Sequence, residues 1–350
     1  MTLAAFANVR PQIRVAGEAR DDLGEALAAM LVNLPLSGAA HAELQLSNWG
    51  VPEGGRAPDF VLAALSPGDA IDVSIAAGGD PVRLIEGEVT AIEERYGEGA
   101  PMLVLLLQDR LHRLARSRHS RAFEDMSPDQ VLRSIAADAG LRADIDVSGV
   151  SGNWHQYNES DLAFALRLLT RFDVALRLED GVLRARAEAP DPHPVQLDTQ
   201  DSALRVRLIA DLNHQHPSVR VRGYNAAVAD DIDRSSDTMQ PAPQGQSAAE
   251  LIRELGWPGD EVVPQPFARS SGEAEAYAAG HFRRQARRFI SGDIHCIGEP
   301  TLRSGREIEL DGVSPRLRGT YQVVHCVHRF DNTTGFETHL RVQRADWERT

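Results

Sequence analysis

At 350 residues the chain exceeds what one hydrophobic core holds, and with 42% apolar and 25% charged residues it reads as a folded protein of two or more domains. No run of about 18 apolar residues occurs, so no membrane-spanning helix is expected. The 51 acidic side chains against 37 basic ones leave a net charge of -14, which excludes tight, general nucleic-acid binding by phosphate neutralisation. The stretch Met1 to Ile13 mixes Arg10 and Pro11 into its apolar residues and lacks a signal-peptide core, so synthesis is expected to end in the bacterial cytoplasm. Two cysteines, Cys296 and Cys326, cannot build a disulfide framework; their apolar, strand-like contexts suit reduced, buried thiols.

In chain order, Gln12–Ala16 and Glu43–Leu46 alternate as strands, and Asn48–Ala57 reads as a loop. Leu23–Leu34 has helical spacing, with Leu23, Leu27, Met30, Leu31 and Leu34 on one face and Pro35 ending it. Strands follow at Asp69–Ala76, Ile85–Glu94 and Met102–Gln108, joined by the turn compositions Gly78-Gly79-Asp80 and Tyr96-Gly97-Glu98-Gly99. Arg110–Arg121 is a basic hinge, expected as a solvated linker, with Arg113 and Arg116 as candidate contacts to an acidic partner.

From Ser127 the period changes. Ser127 and Gln130 form a capping box with Pro128 at the first helical position, Val131, Leu132, Ile135 and Ala139 line one face, and Gly140 closes the helix. Ala143–Val147 reads as a strand, and Glu159–Phe172 as a helix burying Leu162, Leu166 and Leu169. A hairpin, Val174–Leu178 and Val182–Ala187, turns on Asp180-Gly181. After Pro190, Pro192 and Pro194, strands return at Ala203–Asp211 and Ser218–Tyr224, and residues 230–247 read as an exposed loop. Ser247 and Glu250 cap a short helix ended by Gly256. Glu273–Phe289 is a longer helix with Ala276, Ala279, Ala286 and Phe289 facing in, and strands resume at Ser291–Ile297 and run to Val342.

Two stretches echo each other. Gly68-Asp69-Ala70-Ile71-Asp72-Val73 followed by Gly87-Glu88-Val89 has the pattern of Gly305-Arg306-Glu307-Ile308-Glu309-Leu310 followed by Gly319-Thr320-Tyr321. The fold class is therefore α+β, mainly β, with two similar antiparallel β-barrel domains. The expected division is 1–114 as the first barrel, 115–189 as an α/β domain, and 190–224 with 291–350 as the second barrel. That second barrel is split by a helical insertion, 225–290.

Chemistry is sparse. No nucleophile elbow, zinc-protease helix, Walker loop or dinucleotide glycine motif is present. His295, Cys296, His325, Cys326 and His328 are zinc-type ligand residues but lack the spacing of common sites, so they are expected as buried structural residues, with no metal and no cofactor. Trp154 and His155 before the second helix are candidates for a sugar-binding groove, and half-buried packing explains them more simply. Glu159 and Asp161 at that helix start are accounted for by capping and the helix dipole. Arg283, Arg284, Arg287 and Arg288 concentrate positive charge on the last helix, either paired internally with Glu273 and Glu275 or docking an acidic protein.

Taken together, Ser66–Val73, Gly87–Ile92 and Leu107–Leu114 resemble the first barrel of the phage late control gene D family. Gln156–Phe164, Asp180–Leu183, Gly319–Val324, His328, Gly335–Thr338 and Arg344 are similar to its later segments, over most of residues 60–344. The resemblance implies a non-enzymatic structural hub of a contractile tail, a type VI secretion spike or an extracellular injection system. It implies a homotrimer whose two barrels per subunit make a pseudo-sixfold ring, adapting a hexameric inner tube to a trimeric spike. The implied partners are the inner-tube protein, a separate spike trimer and baseplate wedge or adaptor proteins, and the final location is the baseplate. Members that carry a spike or lysozyme continue further; here the chain ends at Thr350, so those parts are expected on separate chains. The competing reading is a cell-wall glycan-binding or glycan-cleaving module built on residues 122–189.

Overall fold

The computed structural model describes residues 9–52, 54–76, 80–97, 99–147, 149–257 and 259–348. The turn residues Gly78, Gly79 and Glu98 lie outside them. The chain begins with β1 (Gln12–Val15), β2 (Glu18–Ala19), the short helix α1 (Asp21–Ala26), β3 (Leu27–Pro35), β4 (His41–Ser47), β5 (Ala70–Ile75), β6 (Val82–Arg95) and β7 (Met102–Gln108). A 3-10 turn (Arg110–Ala115) leads to β8 (Arg118–Met126), α2 (Pro128–Asp138), β9 (Arg142–Asp146), β10 (Gly152–Ser160), α3 (Asp161–Thr170), β11 (Arg177–Glu179) and β12 (Val182–Arg186). Next come β13 (Val195–Asp198), β14 (Ala203–Ala210), β15 (Val219–Asn225), β16 (Asp230–Ser236), β17 (Gln246–Ser247), α4 (Ala248–Leu255), β18 (Glu261–Ala268) and α5 (Ser271–Ala286). The chain ends with β19 (Ile290–Ile297), β20 (Glu307–Asp311), β21 (Gly319–Asp331), β22 (Gly335–Arg344) and β23 (Asp346–Trp347).

The protein is mainly β, and its largest sheet joins strands from both ends of the chain in the order β14-β19-β22-β21-β3-β4-β7-β6-β5-β1-β2, with β20 and β13 branching from β21. Its inner face packs one core, in which Leu44, Leu105 and Ile71 meet Ile294, Tyr321 and Val342. A second core gathers Leu132, Phe164 and Leu183 with Val221, Tyr277 and Phe282, so segments 111–185 and 219–282 pack as one mass.

The large sheet repeats itself strand for strand. β3-β4-β7-β6-β5 pair in the same order as β14-β19-β22-β21-β20. Thr90 bulges out of register between Val89 and Ala91, and Val324 does the same between Val323 and His325. A second bulge recurs at Ala28 on β3 and Leu204 on β14. Gly68 and Gly305 both take positive φ, +97 and +89, and each donates its N–H to the strand behind, at Val89 O and Val323 O, 2.8 Å in both cases. Only glycine adopts that backbone without strain. The echo's second glycines are not equivalent, because Ile71 faces Gly87 whereas its counterpart Ile308 faces Tyr321. Gly87 is needed for a different reason: a Cβ there would come within 2.9 Å of the Gln108 carbonyl oxygen.

Several local readings change. Leu23–Leu34 is a helix only to Ala26; from Leu27 it is a strand, with β4 on one edge and β21 on the other. Met30, Val32 and Leu34 are buried at period two, and this face prevails over the helical spacing. Arg110–Arg121 is no free linker: Asp109 caps the turn, accepting from Leu111 N at 2.9 Å, and Leu111 and Leu114 enter the second core. Residues 230–236 form a strand rather than a loop, held between water and β15 with only Ile232 buried. β15 itself, read with the second barrel, pairs with β16 and β18 in a separate sheet against which α5 packs. On α3 the buried face is Phe164, Ala165, Leu168 and Leu169, with Leu162 and Leu166 only half-buried. On α5 it is Ala274, Tyr277, Ala278 and Phe282, with Ala276, Ala279 and Ala286 half-buried and Phe289 fully enclosed beyond the helix.

Candidate functional site

The repeat leaves a specific pair of edges open. Within the chain the two repeats join where the distal half of β21 pairs with β3, Val327 facing Asn33 and Arg329 facing Leu31. The counterpart of distal β21 is β6 from Ala91 onward, and the counterpart of β3 is β14. Among the described residues neither that edge of β6 nor the outer edge of β14 has a strand partner. Exposed strand edges invite pairing with another chain. Both edges also expose apolar side chains: Leu204 and Ile209 on β14, and Tyr96 just past β6. Tyr96 packs edge-on against Phe60 at 6.2 Å, and Phe60 against Trp49 at 5.3 Å, so the β6 edge is flanked by an aromatic cluster. The sequence reading passed over this cluster; its signal was three aromatics set in loops of a chain with only 5% aromatic residues.

The candidate arginines fall into two groups. Arg287 grips the buried Asp173 with two bonds, 2.6 and 2.7 Å, and Arg283 lies 3.5 Å from the same carboxylate while donating to the Phe172 carbonyl at 3.0 Å. Arg284 donates to the Thr170 carbonyl at 2.6 Å. These cations cover the C-terminal end of α3, where the helix dipole favours positive charge. The anticipated partners are engaged elsewhere, Glu273 with Arg269 and Glu275 with Arg234. Arg113 holds Glu88 together with His112. Arg116 and Arg288 are exposed and make no side-chain hydrogen bond or ion pair with the described residues.

The groove beside β10 is lined by His155, Tyr157, Glu159, Arg167 and Phe267 over Trp154. Trp154 is buried, donates to the Met126 carbonyl at 2.7 Å, and has the guanidiniums of Arg171 and Arg269 over its ring at 5.8 and 5.6 Å. Glu159 is held by Arg167, and Asp161 accepts from Arg121 and Gln156 at 2.8 Å each. Glycoside cleavage needs two carboxylates free to flank a bond. Here Glu159 is the one carboxylate among the lining residues, and it is already neutralised.

The cysteine–histidine set divides between the sheet's two faces. Cys296, Cys326 and His328 point into the core, and burial pushes both thiols up, that of Cys296 to about 12. His295 and His325 are half-buried on the outer face. There the sheet brings His295 beside Glu337 and His339, neither of them among the zinc-type ligand candidates of the sequence. Their signal was the alternation Glu337-Thr338-His339, which places both on one strand face.

A family model for the phage tail baseplate hub (GPD) matches residues 36–334. The chain belongs to that family. This hub is similar to a 43 kDa tail protein of a Shewanella oneidensis prophage, at 13% identity and TM-score 0.71, covering 97% of this chain and 99% of that one. It is also similar to a tail protein of Neisseria meningitidis, at 11% identity and TM-score 0.70, with 96% of each chain covered. A third likeness is an Escherichia coli component of the type VI secretion system, at 13% identity and TM-score 0.55, covering 97% of this chain and 79% of that one. At these identities the likenesses show the fold; the family match carries the role, a structural component of the tail baseplate. No curated protein matches the hub sequence.

Proposed function

We propose that this hub closes head-to-tail into a ring of three chains, distal β6 of each copy adding to β14 of the next. The internal junction between β21 and β3 carries the reading, because it displays once, inside the chain, the contact that the open edges repeat between chains. Superposing the repeats pairs Glu93 with Ile209 and Arg95 with Arg207 of the neighbour. Such a heterologous contact forms a ring when its rotation closes. Two repeats in each of three chains give six barrel units around one axis, which suits a hexameric inner tube on one side and a trimeric spike on the other. Arg116 and Arg288 remain the candidate contacts for an acidic baseplate partner. The hub acts by binding alone, without catalysis, and works in the baseplate of the assembled tail or injection particle.

The ring is tested by the mass of the purified chain, alone and mixed with its spike trimer, using light scattering. A particle of three times the 38.3 kDa chain is expected. A chain that stays monomeric alone and with the spike overturns the reading.

A further inference from the structure

The outer face of the second repeat carries a cluster for which the ring has no use. β19 and β22 pair so that His295 lies directly across from His339, and Ile297 across from Glu337. Strand alternation then sets Glu337, His339 and His295 side by side on one face. An imidazole nitrogen from each histidine and a carboxylate oxygen all lie within 4.8 Å of one another. His295 Nε2 is 3.0 Å and His339 Nε2 3.9 Å from the same Glu337 oxygen, and the two rings are 3.9 Å apart, tilted by 49°. Both Nε2 atoms are closed off from solvent, and both face the Glu337 carboxylate. Two buried imidazole nitrogens converging on one carboxylate oxygen are an arrangement that a bound cation would satisfy at once.

We propose that His295, Glu337 and His339 form a binding site for a divalent transition metal of the zinc class. Two imidazoles and one carboxylate are a donor set that Zn²⁺ accepts, with a fourth position left for water. Zinc–ligand bonds of about 2.0–2.2 Å place tetrahedral ligand atoms roughly 3.4 Å apart, so small side-chain rotations close the cluster around an ion. The open position faces a shallow cavity lined by Arg205, His325 and Arg341. Arg341 is partly offset by Asp293 at 3.4 Å, and the remaining positive charge points to an exchangeable ion rather than a permanently enclosed one. The equivalent positions of the first repeat are Gln45, Met102 and Val104, which cannot build the site, so the stoichiometry is one ion per chain.

The test uses full-length, untagged protein stripped by chelator and titrated with Co²⁺, then Zn²⁺, in a buffer without imidazole or phosphate. Expected are visible Co²⁺ absorption bands of tetrahedral intensity that saturate at one ion per chain, are quenched by Zn²⁺, and accompany a rise in melting temperature. His339→Gln and Glu337→Gln should each weaken binding at least tenfold, whereas His193→Gln, exposed and outside the cluster and its cavity, should leave it unchanged. Should one variant fail to fold, the other reads the site. The proposal is overturned by the absence of saturable uptake, or by uptake that survives in folded His339→Gln or Glu337→Gln protein. The outcome does not depend on whether the ring forms.

Discussion

His328 lies wholly inside the sheet, its Nδ1 against Thr338 Oγ1 and its Nε2 against the Leu302 carbonyl, each at 3.0 Å. Burial, helped by the Arg303 cation, drives its pKa down from 6.5 to about 3. The unfolded chain takes up this proton near pH 6.5 and the folded chain refuses it, so the stability it contributes is full above 6.5 and is lost as pH falls toward 3. Asp109 works with the opposite sign. It accepts from Ala40 N at 2.8 Å and Leu111 N at 2.9 Å, yet burial raises its pKa from 3.8 to about 6 despite those bonds. Its penalty is absent below pH 3.8 and reaches about 3 kcal/mol as pH rises past 6. Urea midpoints followed from pH 4 to 7 should separate the two. His328→Gln is expected to flatten the loss on the acid side, and Asp109→Asn to steepen it by removing the opposing slope. Parallel curves for both variants and the parent would contradict these assignments. Arg177 holds Glu188 and Glu179 with only 9% of its side chain exposed. Arg177→Met leaves Glu179 and Glu188 to share Arg184, at 2.6 and 3.8 Å, and should cost about 3 kcal/mol in denaturant unfolding; a loss under about 1 kcal/mol would show the cluster to be dispensable.

Elements were legible where their signals are local. Ser127 with Gln130 and Ser247 with Glu250 form the reciprocal capping bonds the spacing anticipates, Gly256 ends α4 with φ +65, and the hairpin on Asp180-Gly181 pairs Glu179 with Val182. Replacing Ser127 by Ala should cost about 1 kcal/mol, read as a lowered melting temperature, and Ser247→Ala should behave alike. Elements were misread where a distant partner decides. Leu27–Pro35 satisfies both periods, and only the presence of β4 and β21 on its two edges makes it a strand. β16 has no alternation to notice and exists because β15 offers it a ladder. The fit of α5 is likewise non-local. Gly280 sits where a Cβ would come within 2.8 Å of the Arg171 carbonyl oxygen, so the helix rests directly on the end of α3. The candidate site was legible in outline only. The repeat was visible in Gly68 and Gly305, but the edge that completes it becomes apparent only once β21 is seen to pair with β3.

At the scale of the molecule, two cores divide the labour. One sheet carries both repeats, and the second core is tied to it where Leu176 N donates to Ser37 Oγ at 3.0 Å and Gly38 N to the Leu176 carbonyl at 2.7 Å. Leu204 and Ile209 at one unpaired edge, and Tyr96 with Phe60 at the other, are exposed apolar side chains that a neighbouring copy would cover. The net charge of -14 disfavours binding to polyanions. The most direct test of the ring is a cysteine pair, Glu93→Cys with Ile209→Cys, in one chain. Directly opposed residues of paired strands lie within disulfide reach, and both native thiols are buried and silent. Mild oxidation should link chains to one another, giving dimers and a closed trimer on a non-reducing denaturing gel, while either single variant runs as monomer. A trimeric particle in which the double variant never cross-links would move the contact to another surface and contradict the account.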